Sequence, residues 1–480
     1  MLPIKRQILH LFKTLARRAG VKRSHQQQSP QLHLQSDAKG SQLVTATVDV
    51  RLEYAWPETS PESVSWALAW DLLEECGAKQ PVNVTLAPDG AKLIQAQWSH
   101  RGIPQRQNFE IFPESKLPGT LREDMPSATS AWTVMSADFW PALAEAVTCA
   151  DSESTRYALG CLQLRGKSGE INATDCRHVL QQAGFSFPWQ DDLLVPASKV
   201  LGAKELAGEV QPQLVKTDDW LLLKLGPWSI GLRIDKTGRF PQVDSIIPRR
   251  SQQATKLVLA EADANYLRQA LPALPGRAEQ HYPVTLDLNG HVALRGQDNS
   301  QTPPTELILS HSRREGEQLC VNLNREFLAK AVQLGFREVH FNSPNTPALC
   351  VDERRKYLFA LLSVEGAIRP SPNMLTIHSN AHETVSGAKP AHHEHEPQPR
   401  PKTYRLNSAP VTNSPAVVTH IGPENTVPLK PIEVAIILRN SLRKTLDKTS
   451  QLITTLKQQK KHSRPMKSTL TSLKQPQAVA

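Results

Sequence analysis

Residues 152–180 read S-E-S-T-R-Y-A-L-G-C-L-Q-L-R-G-K-S-G-E-I-N-A-T-D-C-R-H-V-L, and this pattern predicts a β-hairpin. An apolar run with Leu159 and Cys161 forms the first strand, residues 166–169 have turn chemistry, and the return strand begins at Ile171. The stretch contains no nucleophile beside a base, no glycine-rich phosphate loop and no metal-ligand spacing. We therefore expect a structural or binding element here rather than a catalytic one.

The elements predicted around the hairpin follow a regular order. A short amphipathic helix precedes it at 138–149, a second helix begins with residues 195–199, and three strand-like runs lead to 238–241. The same order of helix, strands, helix and three strands occurs before residue 131 and again at 255–363. The repetition predicts three copies of one α+β unit.

Periodicity and turn residues place the remaining elements of these copies. In the first copy, strands are expected at 31–36, 42–54, 82–87, 92–98 and 107–112, and a helix at 61–76. In the third copy, helices are expected at 261–271 and 322–334, and strands at 283–288, 291–296, 305–310, 337–342, 347–351 and 356–362.

The chain opens with a basic amphipathic helix that ends before Gly20. The residues on its predicted apolar face are Ile4, Ile8, Leu11, Leu15 and Ala19, with Phe12 beside them. Arg6, Lys13 and Arg17 fall together on the opposite face. Such a helix suits packing on a sheet with its cations toward phosphate, although a membrane-surface helix or a transit peptide shares the pattern.

Length and cysteine usage limit the class of protein. A chain of 480 residues accommodates three domains, and its 37 prolines with 39% hydrophobic residues indicate that part of it is unpacked. The cysteines at 76, 149, 161, 176, 320 and 350 include no C-x-x-C pair, so a reducing compartment is the simplest expectation. No apolar run approaches the roughly 18 residues of a membrane span.

Positive charge is concentrated at the two ends of the chain. Residues 371–480 carry 15 basic and 6 acidic side chains, and residues 1–24 carry 7 basic and none acidic, whereas the whole chain has a net charge of +10. The part between them is mildly acidic. Basic ends suggest an anionic partner, either nucleic acid or an acidic protein surface.

The composition changes near residue 366. Residues up to 428 are rich in Pro, Ser, His, Asn and Thr, which is typical of a disordered linker. A His-rich tract at 391–396 has metal ligands but no structured neighbour, so we expect no metal site there. A basic amphipathic helix is predicted at about 431–460, and docking on a partner, pairing with another copy and binding DNA are all consistent with it.

Four motifs in order carry a family resemblance. They are T-R-Y-A-L-G at 155–160, A-T-D-C-R-H-V-L at 173–180, V-P-A-S-K at 195–199 and T-G-R-F-P-Q-V-D-S-I-I-P at 237–248. In this order and spacing they resemble the bacterial sliding clamp, the DNA polymerase III beta subunit. The resemblance implies clamp domains at 1–128, 129–252 and 253–368, followed by the basic tail at 369–480.

The resemblance also implies a ring. In the family, two three-domain chains close head to tail as a homodimer around duplex DNA, with helices lining the hole, and act in the cytoplasm at the nucleoid. DNA would then be held by topology rather than by sequence-specific contacts. The DNA-facing residues implied here are Arg6, Lys13, Arg17, Lys199, Lys204, Arg268, Arg325 and Lys330. Two expected lining helices, 61–76 and 138–149, carry acidic residues and no Lys or Arg.

A second implied site is the pocket where the family docks hydrophobic peptides of polymerase and clamp-loader subunits. By motif match its residues are Leu159, Thr174, Cys176, Arg177, His178, Val179, Pro241, Ile246, Leu358 and Ala360. Cys176 stands where the family has glycine, and its side chain would narrow the groove. The alternative is that these residues are ordinary core residues of the hairpin.

The expected function is therefore a non-catalytic processivity factor of the replicative polymerase, without cofactor or metal. Two alternatives remain open from the sequence. One is a clamp-fold adaptor that no longer encircles DNA and acts through its tail. The other is an unrelated α+β enzyme, although no spacing for a catalytic triad or a phosphate-binding loop is present.

Overall fold

The structure is a computed structural model of the 480-residue chain. It describes residues 1–23, 29–60, 62–122, 131–151, 158–208, 211–248 and 254–379, all within the compact unit Met1–Pro390. The T-R-Y part of the first motif, the His-rich tract and the predicted tail helix lie outside the described residues.

The described residues form six α-helices among many antiparallel strands, so the predicted α+β class is confirmed. The helices are α1 (Arg6–Arg18), α2 (Asp71–Cys76), α3 (Gly119–Arg122), α4 (Phe139–Val147), α5 (Glu261–Ala273) and α6 (Arg325–Gln333). Single turns of 3₁₀ helix lie at Glu114–Lys116, Lys204–Leu206, Val243–Ser245 and Val364–Gly366.

The strands fall into three consecutive series. The first is β1 (Leu2–Lys5), β2 (Leu32–Asp37), β3 (Gly40–Ala46), β4 (Val50–Trp56), β5 (Val64–Leu68), β6 (Asn83–Pro88), β7 (Leu93–His100) and β8 (Ile103–Phe112). The second is β9 (Thr133–Val134), β10 (Cys161–Arg165), β11 (Glu170–Thr174), β12 (His178–Gln182), β13 (Asp192–Pro196), β14 (Gln213–Lys216), β15 (Trp220–Leu225) and β16 (Trp228–Arg233). The third is β17 (Thr255–Val258), β18 (Pro283–Asp287), β19 (Ala293–Gly296), β20 (Thr305–Ile308), β21 (Arg313–Glu315), β22 (Cys320–Asn324), β23 (Glu338–Phe341), β24 (Ala348–Val351), β25 (Arg355–Phe359), β26 (Leu361–Leu362) and β27 (Leu375–His378).

Each series contains the same two four-stranded ladders. One ladder runs β1-β6-β7-β8, β9-β14-β15-β16 and β17-β23-β24-β25 in the three series. The other runs β5-β2-β3-β4, β13-β10-β11-β12 and β22-β18-β19-β20. The pairing topology therefore repeats three times, whereas the boundaries proposed for the three domains stay a prediction.

The series are joined by continuous sheet. Strand β4 pairs antiparallel with β16, from Val50 opposite Leu232 to Tyr54 opposite Trp228. Strand β12 pairs antiparallel with β25, from His178 opposite Phe359 to Gln182 opposite Arg355. At each junction, the last strand of the second ladder in one series pairs with a strand of the next series. That strand is always the last one of the first ladder, so both joins follow one junction rule.

The predicted helix at 61–76 is wrong in its first half. Residues Val64–Leu68 form β5, which pairs with β2, and the helix α2 begins only at Asp71. Val64, Leu68 and Leu72 have helical spacing, but the V-S-W-A-L run is also compatible with a strand. Periodicity does not distinguish a helix from a strand in so short an apolar run, and pairing with β2 makes this run a strand.

The helix predicted to begin with residues 195–199 is also wrong. The chain there leaves β13 at Pro196, turns, and makes one 3₁₀ turn at Lys204–Leu206. Gly202 has a φ of +75°, and a Cβ at this position would lie 2.0 Å from the Cβ of Ala144 on α4. The close approach to α4 requires glycine, and its left-handed backbone interrupts a helix.

Smaller differences concern element ends. The run at 42–54 is two strands, β3 and β4, and residues before α6 form β22 rather than helix. The predicted linker after residue 366 contains β27, which pairs parallel with β20. The hairpin itself is confirmed as β10 and β11, with residues 166–169 between them.

Candidate functional site

Lys13 and Arg17 of α1 are both paired with Glu74 of α2. Lys13 Nζ lies 3.3 Å and Arg17 Nη2 lies 2.5 Å from the Glu74 carboxylate. Arg23, just beyond the helix, lies 2.8 Å from Asp71. Burial opposes ionisation of Glu74, but hydrogen bonds from Trp70 and Lys13 outweigh it and lower the pKa of its carboxyl. Helix α2 therefore neutralises much of the charge that the sequence assigns to this surface.

Arg6 is not a surface cation, and its predicted DNA-facing position is wrong. Its side chain is 6% exposed, and its Nε donates to the carbonyl oxygen of Cys76 at 2.8 Å. Cys76 is the last residue of α2, where helical carbonyls lack partners within the helix. A guanidinium at a helix C-terminus is favourable both as a donor and as a positive charge, so Arg6 serves to hold α2 on α1.

Arg325 is corrected in the same way. It is 4% exposed at the start of α6, and its guanidinium donates to the carbonyl oxygens of Leu271, Leu274 and Pro275 at the end of α5. Burial lowers the pKa of this guanidinium from its ordinary value. The third helix pair thus repeats the arrangement of the first, with an arginine that caps the neighbouring helix.

The other predicted cations lie nearer the surface. Lys199, Lys204 and Arg268 are exposed, and Lys330 is half-buried. Among the residues that the structure describes, these four have no ion-pair partner. They remain candidates for contact with phosphate, and that role stays a prediction.

Acidic residues at the start of α4 and on α4 itself also have cationic partners. In the sequence these residues argue against a helix that lines a hole for DNA. Asp138 lies 2.5 Å from Arg354, and Glu145 lies 3.1 Å from Arg355. Arg354 lies in the turn between β24 and β25, and Arg355 is the first residue of β25, so both come from the third series. Sequence reasoning missed them because ion pairs more than 200 residues apart leave no local signal.

At the predicted peptide pocket, the turn between β11 and β12 is held by Asp175. Its Oδ1 accepts from the backbone N–H groups of Arg177 and His178, each at 2.8 Å. Cys176 in this turn has a φ of +68°, a conformation that a non-glycine residue rarely adopts. The turn thus keeps the backbone that suits glycine while Cys176 exposes a thiol.

His178 lies inside the molecule rather than on the pocket surface. Its Nδ1 is 2.8 Å from the Tyr357 hydroxyl oxygen, and its ring stacks on Phe327 with centroids 5.0 Å apart. Burial lowers the pKa of His178, Asp175 opposes this shift, and Lys330 adds to it. The side chain therefore joins the hairpin to α6 and to β25.

The remaining predicted pocket residues divide into interior and surface. Leu159, Thr174, Val179 and Leu358 are buried, and Val179 and Leu358 form a small apolar cluster with Val243 and Leu349. The residues that reach the surface are Cys176, Arg177, Pro241, Ile246 and Ala360, with Ile246 50% exposed. Phe240 and Ile247 lie half-buried against the same cluster and were missed. An apolar surface exists here, and peptide binding to it stays a prediction.

A cavity of about 790 Å³ lies beside the hairpin turn, and His178 is among its lining residues. Asp151, Asp175 and Glu326 line it together with the cations Arg277 and Lys330. Its lining therefore carries both signs of charge. Within the described residues, no group of three or more His, Cys, Asp or Glu side chains is arranged to hold a metal ion, and no helix is long and apolar enough to cross a membrane.

Comparison with known proteins decides the fold. No family model matches the chain, and no curated protein matches it in sequence. The DnaN sliding clamp of Pseudomonas aeruginosa matches in structure with a TM-score of 0.62 and 16% identity, over 76% of this chain and 99% of that one. This chain has the sliding-clamp fold.

Two further clamps show the same likeness. The beta subunit of DNA polymerase from Streptococcus pyogenes has a TM-score of 0.62 and 15% identity, over 76% of this chain and 100% of that one. The DNA polymerase III beta subunit of Thermotoga maritima has a TM-score of 0.62 and 12% identity, over 76% and 99%. The resemblance that the sequence motifs carry is thus confirmed for the fold, in a sequence that differs greatly from these clamps.

Proposed function

We propose that this chain is a sliding clamp, a non-catalytic processivity factor that encircles duplex DNA and tethers a polymerase. The observation that carries the proposal is the threefold repeat of paired ladders joined by one junction rule. The same rule makes the two ends of the chain complementary: β8 corresponds to β16 and β25, and β20, along which β27 lies, corresponds to β4 and β12. Head-to-tail association of such ends closes a ring when the rotation permits.

Sequence-independent contact with DNA is assigned to Lys199, Lys204, Arg268 and Lys330. They are scattered lysines and an arginine without described carboxylate partners, and such groups meet phosphates without reading bases. The ion-paired Lys13 and Arg17 contribute less because both are held by Glu74, whose single charge offsets one of their two. Weak electrostatic contact is compatible with a ring, which holds DNA by its topology.

Partner peptides are assigned to the apolar surface around Pro241, Ile246 and Ala360. The buried cluster of Val179, Val243 and Leu358 supports this surface from below. A short hydrophobic segment of a polymerase or clamp-loader subunit fits such a patch, because apolar side chains gain free energy when they leave water. Exposed Cys176 lies in the turn between β11 and β12, where the family resemblance implies a narrower groove than glycine would give.

One observation favours a second candidate, a clamp-fold adaptor that does not encircle DNA. Charges at α1 and α4 are ion-paired within the described residues: Glu74 offsets one of the two charges of Lys13 and Arg17, and Arg354 and Arg355 pair with Asp138 and Glu145. In this role the chain acts through protein contacts and through its basic tail.

A test of encirclement compares closed-circular DNA with the same DNA after linearisation. The full chain is mixed with each at high protein concentration, so that association around DNA needs no loader, and is then passed over a sizing column at raised salt. A sliding clamp stays with the circle and leaves the linear DNA through its ends, whereas electrostatic binding is lost from both. Equal loss from both molecules contradicts encirclement and favours the adaptor.

Peptide docking has its own measurement. The probe is a fluorescent peptide of the Gln-Leu-x-Leu-Phe pattern that partners of sliding clamps use. Its binding is expected to weaken roughly tenfold in Ile246→Asp, because a charge in the apolar patch must be desolvated. Val48→Asp, which changes a similarly exposed apolar residue elsewhere, is the matched control. Equal affinity in both variants removes the patch from the proposal.

A further inference from the structure

The two internal junctions define which strand edges this fold pairs. Strands β4 and β12 end the second ladder of the first two series, and each is covered by the last strand of the next series. The corresponding strand of the third series is β20, and no fourth series follows within the described residues. By the junction rule, β20 lacks the antiparallel neighbour that β4 and β12 have.

The complementary edge belongs to β8. Strands β16 and β25, which correspond to β8, are paired on both sides, with β15 and β4 and with β24 and β12. Within the described residues, positions 103–110 of β8 pair on one side only, with β7, and β8 meets β5 only at Ile111 and Phe112. Pro104, which lacks an N–H group, is typical of such an edge.

The edge of β20 is not open, because the chain's own β27 covers it. Strand β27 lies parallel to β20, from Leu375 beside Thr305 to His378 beside Ile308. The pairing is parallel, whereas both internal junctions are antiparallel. The side chain of Leu375 is 60% exposed, and only Ile377 packs against the core, so β27 is held by few apolar contacts.

A polar latch fixes the end of this segment. The hydroxyl of Ser379 donates to Oδ1 of Asp263 on α5 at 2.5 Å and accepts from the N–H of Ser310 at 3.0 Å. The other oxygen of Asp263 accepts from the N–H of His311 at 3.0 Å and from the Ser312 hydroxyl at 2.6 Å. Asp263 is fully buried, so loss of Ser379 leaves one carboxylate oxygen without this donor.

We propose that β27 caps in cis the edge of β20 that pairs with β8 of a second copy, so that release of residues 375–379 controls self-association. The proposal deepens the proposed function. It rests on that function only in naming β8 of a second copy as the strand that takes the place of β27. An exposed strand edge invites unwanted pairing, and a covering segment prevents it. When β27 is released, β20 loses four parallel residue pairs and can form an antiparallel join like those inside the chain.

The test uses the full chain with single substitutions in β27. Leu375 donates its N–H to Pro304, and alternate residues of a strand face the same neighbour, so Ile377 also faces β20 whereas Thr376 faces away. Ile377→Pro removes a ladder donor, and Thr376→Pro imposes the same backbone restriction without that loss. Ser379→Ala opens the latch by an independent change.

Self-association is measured by sedimentation velocity, and exchange of the amide hydrogens at 305–308 reports on the covered edge. We expect roughly tenfold tighter association in Ile377→Pro and in Ser379→Ala than in the unaltered chain, with faster exchange at 305–308 in Ile377→Pro and no change in Thr376→Pro. Faster exchange without association overturns the proposal, and so does an unaltered chain that already associates as tightly as the variants. Unchanged exchange in Ile377→Pro overturns it as well.

These outcomes separate the cap from the proposed function. If Ile377→Pro associates but is lost equally from circular and linear DNA, the cap stands and encirclement fails. If the unaltered chain associates fully and is retained on circles, encirclement stands and the cap fails.

Discussion

The first and third helix pairs share one construction and differ in the charge that they leave at the surface. In both, an arginine at the start of one helix enters the interior and caps the end of the other, Arg6 for α2 and Arg325 for α5. In the first pair, Glu74 then forms ion pairs with both Lys13 and Arg17 and offsets one of their two charges. In the third pair, Arg268 has no described carboxylate partner. Whether a cation is available to a ligand therefore depends on the element packed beside it.

The two capping arginines are expected to differ in their contribution to stability. Arg325→Met leaves several carbonyl oxygens without a charged donor and is expected to lower the free energy of unfolding by about 3 kcal/mol. Arg6→Met loses one such bond and is expected to cost about 1.5 kcal/mol. Urea denaturation of the two variants measures the difference. Equal losses would show that the number of capped carbonyls does not set the energy.

His178 extends the comparison, because it packs on Phe327 of α6 and so ties the third pair to the hairpin. Its pKa is lowered by burial, so the unfolded chain binds its proton at higher pH than the folded chain does. The contribution of His178 to stability is therefore complete above its ordinary pKa of about 6.5 and declines as the pH falls below it.

The expected loss is at most about 1.4 kcal/mol for each pH unit below that value. Urea denaturation between pH 7.5 and pH 5 measures it, as the difference in pH dependence between the unaltered chain and His178→Gln. His100→Gln, at an exposed position, is the control. A pH dependence that is the same in all three proteins would mean that His178 is not the group that resists protonation.

The sequence predicted those parts of the fold that depend on local pattern. Alternating apolar residues placed the hairpin and the strands β6, β7 and β8, and a strong helical period placed α4 and α5. The helix at 61–76 failed because a short apolar run is compatible with both structures, and pairing with β2 settled it. Strand β27 has only four residues, L-T-I-H, so its short apolar alternation is no clear signal in a stretch rich in Pro and Ser. It is held by its pairing with β20 and by the latch at Ser379.

The candidate site was less predictable than the fold, because its charges act in pairs across the chain. Helical periodicity grouped Arg6 with Lys13 and Arg17, but Arg6 lies under the end of α2 and only the other two reach the surface. The glycine-like turn at Cys176 was located by motif, while its positive φ follows from the backbone of the turn and not from the residue type. A sequence pattern gives the face of an isolated helix, and packing then decides what covers that face.

Removal of the Glu74 carboxylate provides the most sensitive comparison of the two pairs. Glu74→Gln frees Lys13 and Arg17, so the first helix pair then resembles the third in its exposed charge. We expect DNA affinity at low salt to rise roughly threefold, and its dependence on salt to become steeper because more cations release counterions on binding. Glu75→Gln removes the same charge from an exposed side chain of α2 that has no described partner, so it separates net charge from release of the cations. If Glu75→Gln raises affinity as much as Glu74→Gln does, the ion pairs do not restrain the cations, and the difference between the two helix pairs is one of overall charge alone.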